Sequence, residues 1–331
     1  MVDILAKEGV ECYPLYEIFN RRRFSKIDIV HLNWYENLYE TSKSGRYKSF
    51  LKKVFRILLI RICRKKVVWT MHNKTTHDQT DMFLKNILLK SIIRVSDAIV
   101  VHSLVSKQII QQQFPNMKLP KIYYIPHPNY IDKYGSIIPN TSEKRGSSLN
   151  LLFMGAVKPY KNIELLIEVV KQFKTEHITL KVAGRVINHE YQVSLEKMCA
   201  GFTNITLDFV FIADESIPSY LSECDLVVLP YDRESSLNSG SVLLAFSYKR
   251  TVICPDIGTI TDIENIDSVF SYSYITKEEH ANKLHEAISR AYNNKDELTK
   301  MGTTMYNEVM SRNSEKLIGK RLIELYQELK P

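Results

Sequence analysis

The sequence predicts an α/β protein of two doubly wound domains, each a parallel sheet with helices on both faces. Three observations carry this expectation. A chain of 331 residues is long for one hydrophobic core and suits two domains of roughly 150 residues each. Short β-branched runs alternate with longer helical patterns from end to end, the signature of parallel sheets. Residues 134–148, rich in Gly, Pro, Ser, Asn and charge, read as a linker near the middle. Strands are expected at 28–32, 67–71, 98–102 and 122–125 before it, and at 151–154, 180–183, 205–211, 226–229 and 252–254 after it. Three helical patterns follow, the last over about 314–329. The domains are therefore placed at 1–148 and 149–313, with a final helix at 314–331.

Charge separates the two halves. The net charge of +8 hides +13 over residues 1–150, from 25 Lys/Arg and 12 Asp/Glu, and −5 over the remainder. No acidic residue lies between Glu40 and Asp78, whereas Lys43, Arg46, Lys48, Lys52, Lys53 and Arg56 begin a dense basic run. Tyr47, Phe50, Leu51, Val54, Phe55, Leu58, Leu59 and Ile62 interleave with it at spacings of three and four, which makes a basic amphipathic helix. Such a helix is either an ordinary domain helix with a solvated face or one that also rests on an anionic membrane surface. No nucleic-acid-binding motif accompanies the charge, so nucleic acid is not expected as a partner. Five scattered cysteines without a CxxC pair argue for reduced thiols and against a disulfide framework or zinc site. No window reaches the roughly 18 apolar residues of a transmembrane helix, and the start lacks a signal-peptide pattern. A cytoplasmic, soluble or peripheral protein is expected.

Three segments carry chemistry. In Leu151-Leu-Phe-Met-Gly-Ala-Val-Lys-Pro-Tyr-Lys-Asn, a buried strand ends at Gly155, a turn bears Lys158 and Lys161, and Asn162 reads as the N-cap of a helix. Two ammonium groups beside a helix N-terminus make a diphosphate site. In Leu226-Val-Val-Leu-Pro-Tyr-Asp-Arg-Glu-Ser-Ser-Leu-Asn-Ser-Gly-Ser, a strand leads past Tyr231 and Asn238 to a Ser239-Gly240-Ser241 turn that opens an apolar helix. Its free N–H groups and hydroxyls can hold a phosphate. No Asp-x-Asp pair is present to hold Mg²⁺, so no metal or other cofactor is expected, and lysines with a helix dipole would neutralise a leaving diphosphate. The third segment, Val67-Val-Trp-Thr-Met-His-Asn-Lys-Thr-Thr-His-Asp, delivers His72, Asn73, His77 and Asp78 into a loop, where a general base for a sugar hydroxyl can reside. Glu36, His127 and Asn129 occupy similar strand-end positions. Each of these groups also has a plain structural reading, as a cap, an exposed lysine or a backbone-bonded histidine.

In this order, the segments resemble glycosyltransferases of the GT-B class, and within it the xanthan-type 4-β-mannosyltransferase family. The matching pieces are Asp28-Ile-Val-His-Leu-Asn-Trp-Tyr-Glu, Thr70-Met-His-Asn with His77-Asp78, Gly155-Ala-Val-Lys-Pro-Tyr-Lys, Val182-Ala-Gly, and Ser222-Glu-Cys-Asp-Leu-Val-Val-Leu-Pro-Tyr followed by Asn238-Ser-Gly-Ser-Val-Leu-Leu-Ala. The resemblance implies two Rossmann-like domains whose parallel sheets face across a cleft, with the last helix packing back on the first domain. It also implies transfer from GDP-mannose, or a UDP-hexose in related capsule, O-antigen and exopolysaccharide enzymes, to a polyprenyl-diphosphate-linked saccharide. Donor contacts then fall to Gly155, Lys158, Lys161, Tyr231, Asn238, Ser239, Gly240 and Ser241. Asp78 or Glu36 would serve as base, with His72 near the reacting sugar and Asn73, His77 and His127 on the acceptor side.

Two departures qualify the match. Retaining family-4 enzymes carry two glutamates eight positions apart in the donor loop; here Glu234 can be the first, but the later position is Val242, which favours inversion. Enzymes of this shape also begin with a strand, whereas Val2-Asp-Ile-Leu-Ala-Lys-Glu-Gly-Val-Glu-Cys reads as the end of the first helix and the next strand. The first strand is therefore expected to be absent. A retaining transferase, an inactive sugar-nucleotide-binding homologue and a sugar-nucleotide 2-epimerase are the alternatives.

Overall fold

The computed structural model describes residues 1–38, 40, 42–72, 82–140 and 148–330. They form two compact units, Met1–His127 with Glu315–Pro331, and Pro128–Ser314.

The first unit is built on four parallel strands, β1 (Ile29–Asn33), β2 (Lys66–Met71), β3 (Ala98–Val101) and β4 (Lys121–Tyr124), paired in that order. Val67, Val68, Trp69 and Met71 of β2 and all of β3 are buried, as expected of parallel strands covered on both faces. The helix Glu315–Leu329 places Ile318, Leu322, Leu325 and Tyr326 in one cluster with Val68 and Val100 of the sheet and Ile4 and Leu5 of the helix Val2–Lys7. It therefore belongs to the first unit, as the sequence reading expects. After Val2–Lys7, the run Val10-Glu11-Cys12 forms no strand; Glu11 and Cys12 are exposed, so no apolar face draws it onto a sheet.

The basic helix runs Lys43–Ile62, its start capped by Ser42, whose hydroxyl accepts from the Gly45 amide at 3.1 Å. Ile57 and Ile60 turn inward, while Tyr47, Leu51, Phe55, Leu58 and Ile62 stay 51–77% exposed. At about 100° per residue these five fall within one narrow stripe. Among the described residues no helix is long and apolar enough to cross a membrane.

The second unit holds six parallel strands, β5 (Leu149–Met154), β6 (Ile178–Ala183), β7 (Ile205–Asp208), β8 (Leu226–Val228), β9 (Thr251–Pro255) and β10 (Phe270–Tyr272), in the order β10-β9-β8-β5-β6-β7. Every residue of β5, β8 and β9 is buried. β10 was not anticipated, because three residues are too few to show an alternation. β7 stops at Asp208, short of 211, since Val210 and Phe211 are 49% and 77% exposed. Tyr130, Ile131, Tyr134 and Ile137 pack against the second core. The compact unit accordingly starts at Pro128, ahead of residue 148, with apolar anchors set in a stretch of loop composition.

Candidate active site

The strand order of the second unit reverses between β5 and β8, which both pair in parallel at Leu151↔Leu226 and Leu152↔Val227. Ligands of doubly wound sheets bind at the carboxyl ends of strands flanking such a switch point. Here the loops after β5 and β8 are tied together: Asn162 Nδ2 donates to the Pro230 carbonyl at 2.9 Å. Asn162 does precede the helix Ile163–Val170, but at φ 55° and without a side-chain cap bond. Its amide joins the two loops instead.

Glycine is required at the mouth of this site. Gly155 (φ +139°) donates its amide to the Ala183 carbonyl at 3.0 Å, and a Cβ on Gly184 (φ +135°) would lie 1.9 Å from the Gly155 carbonyl oxygen. By contrast, nothing lies within 4 Å of a Cβ built on Gly155, so that side of the turn is open to a ligand. Lys158 and Lys161 are half-buried, and neither pairs with a carboxylate among the described residues. The Lys161 ammonium stands 3.9 Å above the Tyr231 ring centroid. Tyr231 is itself buried and bonded to Ser239, whose hydroxyl donates to the Tyr231 oxygen at 3.2 Å.

The helix Gly240–Ser247 points its N-terminus into the same region. Ser239 is its N-cap and accepts from the Val242 amide at 3.2 Å, so this hydroxyl holds the helix and the Tyr231 ring, while Ser241 in the first turn stays half-buried. Gly240 makes room for Tyr130, whose hydroxyl would be 2.7 Å from a Cβ there. Burial pushes the Tyr130 phenol up to about 12, which keeps it a proton donor beside the helix end. In the loop between, Arg233 donates to the Tyr274 carbonyl, while its Nε and the Ser235 hydroxyl are buried without a hydrogen-bond partner. Groups of that kind call for a ligand or water. A cavity of about 280 Å³ opens at the opposite end of the sheet, among Asn150, Thr179 and Asn204, away from the switch point.

The first unit gathers imidazoles at its strand ends. His72, just after β2, stacks on Trp34 at 4.3 Å and 8°, and its Nε2 meets Asn33 Oδ1 at 3.0 Å. His102, just after β3, lies 5.1 Å from His72 and 5.7 Å from His127. The His102 Nδ1 donates to the Ile125 carbonyl at 2.8 Å, which fixes the tautomer and leaves Nε2 as an acceptor. His31 in β1 bonds Tyr326 and Thr70, each at 2.6 Å. Burial, reinforced by the neighbouring imidazoles, holds His31 and His72 down to about 3 and His102 to about 4. All three are neutral at physiological pH. Glu36 is buried and accepts from Trp69 Nε1 at 3.2 Å, with burial raising its carboxyl above the usual range. A carboxylate bound into the core in this way is poorly placed to meet a substrate hydroxyl. Among the described residues no three His, Cys, Asp or Glu side chains are grouped to hold a metal ion.

Residues 148–294 match the family model described as Glycosyl transferases group 1. This second-unit segment is a group 1 glycosyltransferase domain. Over 243 residues the chain is 25% identical to the GDP-mannose:glycolipid 4-beta-D-mannosyltransferase of Xanthomonas campestris pv. campestris, a match that covers 73% of this chain and 65% of that relative's length. Among solved structures, HepE of Anabaena in complex with UDP aligns with TM-score 0.72 at 15% identity over 95% of this chain and 82% of its own. A glycosyltransferase from Rickettsia africae aligns with TM-score 0.70 at 16% identity over 99% and 87%. The sucrose-phosphate synthase of Thermosynechococcus elongatus gives 0.70 at 14% over 95% and 77%. The fold is GT-B.

Within the glycosyltransferase domain, Gly155, Lys158, Lys161, Tyr231, Asn238 and Ser239 fall on the two loops joined at the switch point, and Gly240 and Ser241 open the helix that follows, with Tyr231 and Ser239 as buried supports. In the first unit, His72 and His127 come together at the strand ends, and Glu36 is set apart from them against Trp69. Asn73, His77 and Asp78 lie outside the described residues. Tyr130, Arg233, His31, His102 and Trp34 were missed as site residues. For His102 the available signal was Ala98-Ile-Val-Val-His, a strand ending on a histidine just as Thr70-Met-His does.

Proposed function

We propose that this chain is an inverting hexosyltransferase that moves mannose from GDP-mannose, or a hexose from a UDP-sugar, onto a polyprenyl-diphosphate-linked saccharide at the cytoplasmic face of a bacterial membrane. The observation that carries the reading is a pair of lysines, without carboxylate partners among the described residues, at the switch point of a domain that matches the group 1 glycosyltransferase family model. A relative acting on GDP-mannose and a glycolipid and a structural neighbour holding UDP support it; surface-polysaccharide assembly, as capsule, O-antigen or exopolysaccharide, is the matching role.

In the proposed step an acceptor hydroxyl oxygen attacks the anomeric carbon, its proton passes to a base, and the bond from that carbon to the diphosphate oxygen breaks. Lys158, Lys161 and the amides opening Gly240–Ser247 take up the charge of the departing nucleoside diphosphate. Asp78 is the proposed base. Val242, in the position where retaining relatives carry their second glutamate, is fully buried, which supports inversion. The exposed stripe of Tyr47, Leu51, Phe55, Leu58 and Ile62 amid Lys48, Lys52 and Arg61 supports an anionic membrane surface as partner of the first unit.

The test is incubation of the full chain with GDP-mannose or UDP-glucose and a polyprenyl-diphosphate glycolipid in EDTA. Release of nucleoside diphosphate with a product of opposite anomeric configuration, read by NMR, is expected. A retained anomer, a strict Mg²⁺ requirement, an epimerised donor without acceptor, or donor binding without release each contradicts the proposal at a different point.

A further inference from the structure

We infer that Trp34 is the sugar-stacking platform of an acceptor subsite in the first unit. The word acceptor rests on the transferase reading; the saccharide-binding claim rests on the local geometry.

The chain holds two tryptophans, and they are treated oppositely. Trp69 is 2% exposed and its indole N–H is bonded to Glu36. Trp34, directly after β1, is 42% exposed and sits at φ 54°. That is the left-handed region, which bulky side chains avoid and which Gly, Asn or Asp fill at little cost. A surface turn needing only this backbone shape would be served better by asparagine, so the indole is kept for what it presents. One ring face is covered by the nearly parallel His72 imidazole. The residue as a whole stays 42% exposed with the imidazole stacked beneath it, so the indole is a flat apolar group backed by a neighbouring ring.

The surroundings select the ligand class. Asn33, His72, His102 and His127 lie along the same strand ends, and no lysine or arginine is among them, in contrast to the cationic turn of the second unit. The His72 and His102 imidazoles are held neutral by burial, so these two rings and the Asn33 amide offer uncharged hydrogen-bonding groups. A flat aromatic face bordered by neutral hydrogen-bonding groups suits a pyranose, whose C–H face stacks on the ring while its hydroxyls bond at the rim. Lys53, beside this turn, directs its ammonium to the Tyr35 and Asn37 carbonyls at 2.9 and 2.5 Å.

Two measurements test this. With Trp69 buried, iodide quenches Trp34 selectively. Methyl α-D-mannopyranoside, methyl β-D-glucopyranoside and cellobiose are titrated into the full chain without donor, and protection by at least one of them is expected. Second, Trp34→Asn should melt at or above the wild-type temperature, because Asn tolerates the backbone, while the acceptor KM rises at least about tenfold and the donor KM is unchanged. Trp34→Phe should fall between. Quenching unaffected by all three sugars, or a Trp34→Asn variant with lowered melting and normal acceptor KM, overturns the assignment. If no transfer is ever detected but protection and the melting result appear, the saccharide platform stands and the transferase reading fails.

Discussion

Gly155 and Gly184 provide an internally controlled test of how the donor loops are built. Their φ angles are nearly equal, +139° and +135°, so alanine at either takes a φ that L residues rarely adopt, a strain on the order of 1–3 kcal/mol. Only Gly184→Ala adds a collision. Its Cβ would stand 1.9 Å from the Gly155 oxygen and 2.8 Å from the Gly155 carbonyl carbon, and both neighbours are backbone. Relief requires the two strand ends to separate by more than an ångström, straining the Gly155 N–H to Ala183 bond and the Val157 N–H to Arg185 bond, both 3.0 Å. Overpacking plus a weakened buried hydrogen bond adds about 2–4 kcal/mol. For a unit of this size that corresponds to melting roughly 5–15 °C below Gly155→Ala. Gly155→Ala, whose methyl points into open space, should stay folded yet weaken nucleotide-sugar binding. Thermal denaturation of both variants with and without nucleotide decides the matter. Equal melting temperatures, or normal donor binding by Gly155→Ala, would refute the close-approach argument.

Three further outcomes are expected. Glu36→Gln should keep transfer activity, since the amide oxygen can still accept from Trp69, whereas Asp78→Asn should lower kcat by about 10²–10⁴; the reverse pattern in steady-state kinetics would move the base to Glu36. Folded His31, His72 and His102 titrate at about 3, 3 and 4 against 6.5 unfolded, so the unfolded chain binds more protons between these values. The first unit should thus be fully stable above about pH 6.5 and lose stability as pH falls toward 4, by up to about 1.4 kcal/mol per unit of depression per histidine, and limited proteolysis at stepped pH with a flat response would contradict this. Binding to phosphatidylglycerol vesicles should weaken as salt shortens the screening length to about 8 Å, and Leu51→Ser with Phe55→Ser should weaken it further in sedimentation assays; equal binding to neutral vesicles would remove the basic residues from the interaction.

What the sequence disclosed follows from how local each signal is. β2, β5 and the helix Lys43–Ile62 declare themselves through continuous apolar runs or three-and-four spacing, and all nine expected strands appear near their expected places. The donor loops were legible because glycine, lysine and serine sit next to strand ends in the chain itself. Tyr130 could not be assigned to the Gly240 helix end, because the contact joins residues 110 positions apart and depends on where the second unit begins. His102 and His72 meet only once β2 and β3 are paired. Ser239 takes the helix-cap role that its residue type also allows, whereas Asn162 stands at the N-cap position but gives its amide to the Pro230 carbonyl, a partner 68 positions away that local sequence cannot show.

Lys158 and Lys161 are proposed to hold a nucleoside diphosphate in the second unit. Calorimetric titration of the wild type and of Lys158→Ala/Lys161→Ala with GDP, UDP, GDP-mannose and UDP-glucose tests it most directly. One nucleotide series should bind the wild type in EDTA, and the double variant should bind it at least about tenfold more weakly, since hydrogen bonds to charged groups are worth about 1.5–3 kcal/mol each. Unchanged affinity in the double variant, or no binding of any of the four ligands to the wild type, would contradict the account.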